Sequence, residues 1–356
     1  MITLGAVSAI TQRLTTIRFV SLDNRHEFTH HLDRFSTTIV AINHRTLIDC
    51  LTHQAQMSPL ISLETSRPVS SIVERPNQPG VSVTFGDSET QLVKSVVNAA
   101  GPGWTSLPFP DTRRQRRYEE SLVAVAYGRR CRGRILTENG DQAMLHPVST
   151  NGTGRTSWVN ASGPGEIELI YSTYCRRSEV GKIDRNSRYH ELKATLTQQQ
   201  LIEIDKEGPI ISGFFGLEPA LTPPPASQIY YHGERGQYNA ATVGDAIAPT
   251  VRLSQHLAAV IVSGGNSKDY FKRHTSRAFN HRLEWALTQA RSRAVELGNA
   301  FEMFNVVKYL NPDSQANLLH DHRVPTHLIP LLLLRYPHLI TTFANTALEY
   351  AKTFAK

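Results

Sequence analysis

The chain has 356 residues, 40% of them apolar and 19% charged, with a formal net charge of +7. That length accommodates two domains, or one large domain with an appendage, and the balance is that of a globular chain rather than a disordered one. The longest apolar run near the C-terminus, Leu328 to Leu334, is far short of the ~20 residues of a membrane span.

Three cysteines, Cys50, Cys131 and Cys175, lie far apart. They form neither a disulfide framework nor a Cys-x-x-Cys metal site. That cysteine usage points to a reducing compartment, and the lack of a basic stretch before the apolar residues at the N-terminus argues against a secretory signal, so a cytoplasmic setting is expected. The basic residues are scattered. Their one dense run, Arg113-Arg114-Gln115-Arg116-Arg117, is followed at once by Glu119-Glu120 and reads as a solvated linker. No nucleic-acid partner is expected.

In chain order, residues Thr16 to Leu22 read as a strand, Asn24 to Arg34 as a short helix and Thr38 to Ile42 as a second strand. Asn43 reads as the N-cap of a helix with Leu47, Ile48, Leu51 and Ala55 on one face. Strands follow at Val69 to Val73, Val81 to Phe85 and Leu92 to Ala99, with Pro79-Gly80 and Gly86-Asp87 as turns.

After the linker, short β-like runs recur at Leu122 to Tyr127, Arg134 to Thr137, Ala143 to Pro147, Thr156 to Asn160 and Ile167 to Thr173. That spacing predicts one antiparallel sheet. Tyr189 to Leu201 reads as a helix, Pro223-Pro224-Pro225 as a rigid break and Ile229 to His232 as a strand. Beyond it the chain is helical in pattern: Lys268 to Leu297, Ala300 to Leu310 and Leu339 to Ala355. The order is α/β, antiparallel β, α/β and then helices, which suits a nucleotide-binding domain interrupted by a sheet domain.

Two strand ends point to chemistry. Val96-Val-Asn-Ala-Ala-Gly-Pro-Gly103 ends in small residues, which let a ligand or another backbone approach closely. Ala241-Thr-Val-Gly-Asp-Ala246 turns at Gly244-Asp245 into a long apolar helix, leaving free backbone N–H groups beside one carboxylate. Arg45 stands at the start of the Asn43 helix, where the helix dipole does not favour a cation, and hints at an anionic partner. Taken singly, an ordinary Gly-Pro turn, a helix cap and an exposed arginine account for them.

Together, Arg45, Val97-Asn-Ala-Ala-Gly101 and Gly244-Asp-Ala246 resemble the FAD-dependent oxidoreductases of the glutathione-reductase-like type. The nearest branch is that of the aromatic-ring monooxygenases, geranylgeranyl reductases and lycopene cyclases. The resemblance covers roughly residues 35 to 275. It implies an α/β (α+β) FAD-binding domain carrying an inserted antiparallel β-sheet substrate domain and a helical tail. Residues 1–115 and 236–300 would form the FAD-binding domain, residues 116–235 the sheet domain over the flavin ring, and residues 301–356 the tail. Asp245 would hydrogen-bond the ribityl chain, and Arg45 would sit near the flavin or its pyrophosphate. Ala100, Gly101, Gly244 and Ala246 complete the cofactor-binding set. The activity implied is that of an FAD-dependent oxidoreductase or monooxygenase acting on an apolar or aromatic small molecule, with NAD(P)H as reductant. No catalytic acid or base is identified.

The chain also departs from that pattern. No Gly-x-Gly-x-x-Gly unit precedes Thr16, so the domain reads as N-terminally truncated. Gln255, His256 and Leu257 bring side chains to a helix start where the family presents bare backbone. These departures imply weakened or lost flavin binding, and the alternative is a non-catalytic remnant or binding protein of the same fold.

His26-Glu-Phe-Thr-His30 matches the His-Glu-x-x-His zinc-peptidase pattern, which on a helix would place both histidines on one face with Glu27 as base. Asp33 stands where the longer metzincin pattern has Gly, and no third ligand follows. His320, His322 and His327 read as surface histidines, and Phe214-Phe215 and Tyr230-Tyr231 as core aromatics.

Overall fold

The structure is a computed structural model. It describes residues 7–23, 27–32, 39–74, 80–101, 115, 119–120, 122–137, 140–148, 155–216, 226–233 and 247–271, with single positions at 330, 334, 337 and 344. A 3-10 turn (Val7–Ala9) leads into β1 (Ile10–Leu14), β2 (Thr16–Ser21), β3 (Glu27–His31), β4 (Ile39–Ile42) and α1 (His44–Met57). Next come β5 (Val69–Glu74), β6 (Val81–Phe85), β7 (Thr90–Val93) and β8 (Val96–Asn98). The middle of the chain supplies β9 (Leu122–Ile135), β10 (Ala143–Val148), β11 (Arg155–Gly163), β12 (Glu166–Arg176), α2 (Arg185–Gln198) and β13 (Ile202–Gly216). The last elements are β14 (Ile229–Tyr231) and α3 (Ile247–Val262).

The largest sheet has seven strands in the order β13-β9-β12-β11-β10-β2-β3. Only the β10–β2 pair is parallel. The N-terminal strands β2 and β3 therefore belong to the same sheet as residues 122–216.

One face of this sheet is covered by α2. Asp184 caps that helix by accepting a hydrogen bond from Ser187 N (3.1 Å); the Ser187 hydroxyl first, and then this backbone bond, lower the carboxyl pKa. Tyr189, Leu192 and Leu196, at i, i+3 and i+7, are buried against Cys131, Ile135, Leu145, Val159, Ile167, Leu169 and Tyr171. Full burial of each such apolar side chain stabilises the fold by about 1.5–3 kcal/mol. The helix closes in a Schellman arrangement: Leu201 N bonds Leu196 O, Gln200 N bonds Thr197 O, and Gln200 takes φ +55°.

Side chains alternate along a strand. Tyr127, Cys131 and Ile135 of β9 face α2, so Ala124, Ala126, Gly128, Arg130 and Arg134 face the other way. The charges at that far end are paired, Arg130 with Glu168 at 2.7 Å and Arg134 with Glu203 at 2.6 Å. The β1–β4 pair packs against β11.

The second unit is layered. β5, β6 and β7 form an antiparallel meander, and β8 and β14 form a parallel pair. Ile229 and Tyr231 pack toward the meander with Val81, Ile72 and Val93, while Tyr230 packs toward α3 with Leu253, Leu257 and Val260. A strand buried on both faces must be apolar at every position, and Ile229-Tyr230-Tyr231 is.

Several local expectations hold. Asn43 Oδ1 accepts from Thr46 N at 3.1 Å, and the helix begins at His44. Leu47 is buried, but Ile48 and Leu51 are exposed at 50% and 37%, so the expected apolar face is only partly used.

Other expectations are corrected. The helix expected at Asn24 to Arg34 is replaced by β3, paired antiparallel with β2. Four residues of strand extend about 13 Å, so the His-Glu-x-x-His geometry that a helix would give is absent at Glu27–His30; His26 lies outside the described residues. Among the described residues no cluster of His, Cys, Asp or Glu is suited to a metal ion. The strands expected at Leu122 to Tyr127 and Arg134 to Thr137 are one strand of 14 residues, β9. The single strand expected at Leu92 to Ala99 is two, with β7 in the meander and β8 in the parallel pair. α2 begins at Arg185, four residues before Tyr189, because Asp184 is the cap. β13, with 15 residues, has no counterpart in the sequence reading. Its register shifts around Gly208-Pro209, which an edge strand tolerates because a proline cannot donate to a ladder.

Candidate functional site

The parallel strands β8 and β14 end side by side, with Tyr231 opposite Asn98. Asn98 is buried, and its Oδ1 accepts from Ala100 N at 3.2 Å, which bends the chain out of the strand. Its carbonyl accepts from His232 N at 3.0 Å, extending the pairing by one residue. Gly101 then takes φ +75°, and a Cβ built on it would meet nothing within 4 Å. Among the described residues nothing covers the backbone at this strand end.

α3 begins at the same place. Gly233 follows His232 with φ +60°, and a Cβ there would touch Thr250 Oγ1 at 3.5 Å. The first turn of α3 thus lies against the chain leaving β14. From there α3 runs back along the strand to Gly264, where φ is +71° and Gly265 N bonds Val260 O. The Tyr230 hydroxyl donates to Gly265 O at 2.6 Å, and Ser267 N to Ser227 O at 2.8 Å, so the far end is fastened too. Asn266 and Asp269 form a capping box that starts the helical turn 267–271: Asn266 Oδ1 accepts from Asp269 N, and Asp269 Oδ2 accepts from Asn266 N, both at 3.1 Å.

A polar cluster of buried His232 and Tyr270 with exposed Ser254 ties the near end. His232 is 6% exposed. Its Nε2 lies 2.9 Å from Ser254 Oγ, and its Nδ1 lies 2.9 Å from the Tyr270 hydroxyl. The Ser254 hydroxyl donates to Thr250 O at 2.9 Å, which leaves its oxygen free to accept from Nε2–H; in that tautomer Nδ1 accepts from Tyr270. Burial holds the imidazole below its ordinary pKa, and a bond to the Thr250 backbone opposes this only in part. Burial first, and then Asp269 and Glu74, raise the Tyr230 phenol. The three cysteines are free; burial and Glu179 push Cys175 up to about 11, keeping it a thiol at neutral pH.

Two strand C-termini meeting a helix N-terminus is where ligands bind in open α/β sheets. Among the described residues the first turn of α3 carries no acidic side chain. Ala100 and Gly101 are at this point. Gly244, Asp245 and Ala246 lie outside the described residues, in the segment joining β14 to α3. Arg45 is exposed on the first turn of α1 and has no ion-pair partner among the described residues. Leu257 is 5% exposed and belongs to the core with Tyr230, whereas Gln255 and His256 are exposed. The expectation that Leu257 intrudes on a ligand is thereby corrected, because the helix turns it inward. Tyr230 and Tyr231 are core residues as expected, and the Phe214 ring faces the Arg177 guanidinium at 5.3 Å. His320, His322 and His327 lie outside the described residues. His232, Ser254 and Tyr270 carry no sequence signal as a group; only the position of His232, directly after a wholly apolar strand, sets it apart.

No protein-family model matches this chain, and no curated protein matches it in sequence. Solved structures do. A geranylgeranyl bacteriochlorophyll reductase-like protein from Thermoplasma acidophilum superposes with TM-score 0.65 at 11% identity, covering 95% of this chain and 84% of that one. A flavin-dependent brominase variant gives TM-score 0.58 at 10% identity, over 85% and 78% of the two chains. A probable FAD-dependent monooxygenase from Pseudomonas aeruginosa gives 0.57 at 12% identity, over 85% and 84%. The fold is that of the FAD-dependent monooxygenases and reductases. It is a mixed α/β architecture, and among the described residues no helix is long and apolar enough to cross a membrane.

Proposed function

We propose that this chain is an FAD-dependent oxidoreductase of the monooxygenase–reductase kind, acting on an apolar or aromatic small molecule. The observation that carries this is the meeting of the β8 and β14 ends with the first turn of α3, in a fold shared with flavin-dependent enzymes. The residues fit the group. Gly101 offers backbone that no described residue covers, and the first turn of α3 offers N–H groups without an acidic side chain of its own.

In this reading Ala100 and Gly101 line the cofactor through their backbone, Asp245 binds the ribityl hydroxyls within Gly244-Asp245-Ala246, and Arg45 neutralises the pyrophosphate. Residues 1–115 and 236–300 form the cofactor domain, with β2 and β3 lent to the sheet of residues 116–235, and residues 301–356 form the tail. Bound flavin supplies the electron transfer, with NAD(P)H as reductant; the protein supplies orientation and a dry wall. The sheet face opposite α2 suits an apolar substrate. Ala124, Gly128 and Ile170 are buried there beside the half-buried Trp158, and the paired charges of Arg130 and Arg134 are confined to one end.

The test is direct. The purified full-length chain should carry flavin absorbance, or acquire it when titrated with FAD, and NAD(P)H should bleach it. A colourless protein whose fluorescence titration with FAD shows no saturable binding refutes the proposal.

A further inference from the structure

The cluster of His232, Ser254 and Tyr270 fastens three elements at the proposed cofactor end: the exit of β14, the first turns of α3 and the helical turn 267–271. His232 meets a hydroxyl at each ring nitrogen, and with the Ser254 hydroxyl directed to Thr250 O the neutral tautomer that satisfies both neighbours carries its proton on Nε2 and accepts from Tyr270 at Nδ1. A second proton has to enter at Nδ1 and reverse that last bond.

The groups that face the ring are few. Tyr230 of β14 lies on the same side of its strand and packs edge-on to Tyr270, with ring centroids 6.3 Å apart. Ser254 and the Thr250 carbonyl face it from α3, the carbonyl favouring the protonated ring against the larger effect of burial, and Tyr270 faces it from the 267–271 turn. β8 contributes Asn98, which is uncharged, and its carbonyl holds the His232 backbone. Asp269 acts on Tyr230. Among the described residues no carboxylate hydrogen-bonds the ring to stabilise an imidazolium.

We propose that His232 is a positioning residue acting as a pH-gated clamp, which in its neutral form seats the first turns of α3 on the β14 exit and on protonation lets them open. As regards the cofactor, this rests on the flavin reading above. The lowered pKa caused by burial agrees with the geometry. The sign follows from linkage. An unfolded or opened histidine titrates near 6.5 and the clamped one lower, so stability from this group is complete above about 6.5 and declines as the pH falls toward the clamped value. Within that window one proton shifts the opening equilibrium by up to about tenfold per pH unit.

The experiment is hydrogen–deuterium exchange on the full-length chain between pH 5 and 7.5, corrected for intrinsic rates, with FAD affinity measured alongside by fluorescence. Residues 247–262 should lose protection progressively below about pH 6.5, while α2 should not. His232→Gln cannot titrate and should abolish the pH dependence. Tyr270→Phe removes the donor to Nδ1 and should move the transition up by about one pH unit, the worth of one neutral hydrogen bond. This second variant stands in if His232→Gln does not fold. Unchanged protection across the range, or the same pH dependence in His232→Gln, overturns the clamp. If the exchange behaves as expected but FAD binds at no pH, the clamp stands and the flavin proposal fails. If FAD binds equally at pH 5 and 7.5 and exchange is flat, the clamp fails and the flavin proposal stands.

Discussion

Replacing Gly101 separates the cost of a backbone shape from the use of the space beside it. Its φ is +75°, and a Cβ there would meet nothing within 4 Å. Gly101→Ala therefore has no clash to relieve, and its cost is the left-handed backbone alone, about 1 kcal/mol or a fivefold loss in the folding equilibrium. Gly101→Asn should cost about half as much, since asparagine tolerates that region. Denaturant titrations with unchanged slopes would read both values. FAD affinity should behave differently. A ligand seated on bare backbone loses close contact when any side chain intervenes, so both variants should bind FAD at least about tenfold more weakly, with asparagine no better than alanine. A stability loss above about 3 kcal/mol in Gly101→Ala would show a packed position rather than an open one. Unchanged affinity in both variants would remove Gly101 from the cofactor site.

The same substitution should act very differently at Gly128. A Cβ there would run into Leu169 O and lie 2.8 Å from Ile170 Cα, both backbone atoms of the adjacent strand. Gly128→Ala must push β9 from β12 and break ladder bonds, so a loss of at least about 3 kcal/mol is expected in the same denaturation assay; a loss under 1 kcal/mol would mean the strands yield freely. Gln200 ends α2 with φ +55°, where a glycine carries no steric penalty. Gln200→Gly should raise stability by about 0.5–1 kcal/mol, read as a higher denaturation midpoint, and a decrease would show that the glutamine side chain contributes more than its strain costs.

What could be read along the chain was local. Asn43 and the periodic residues behind it define a capped helix because the bond from Thr46 N to the cap spans three residues. The short apolar runs at 81–85 and 143–147 announce strands for the same reason. The order of the segments, with Arg45, Ala100-Gly101 and Gly244-Asp245, pointed to a flavin-type fold, and the superpositions agree on that fold.

Partners were a different matter. Gly128 and Gly133 look like punctuation in the sequence, yet both lie inside β9, where a Cβ would strike the backbones of Leu169 and Glu203. A glycine that makes a turn and one that makes room for a neighbour are the same letter. The zinc pattern His26 to His30 reads as helical, but Glu27–His31 finds β2 to pair with, and inter-strand hydrogen bonding outweighs a weak local preference. Leu92 to Ala99 reads as one strand, but β6 pairs with its first half and β14 with its second.

The histidine cluster shows the limit most clearly. His232, Ser254 and Tyr270 span 38 residues, and nothing in that spacing marks them as a group. The sequence by itself determined which segments are apolar, capped or broken, because those properties depend on near neighbours in the chain. The tertiary structure alone decided which strands share a sheet, which glycines face a backbone and which face open space, and which polar side chains meet in the interior. Those outcomes depend on the backbone hydrogen-bond partners and buried surfaces that distant parts of the chain provide.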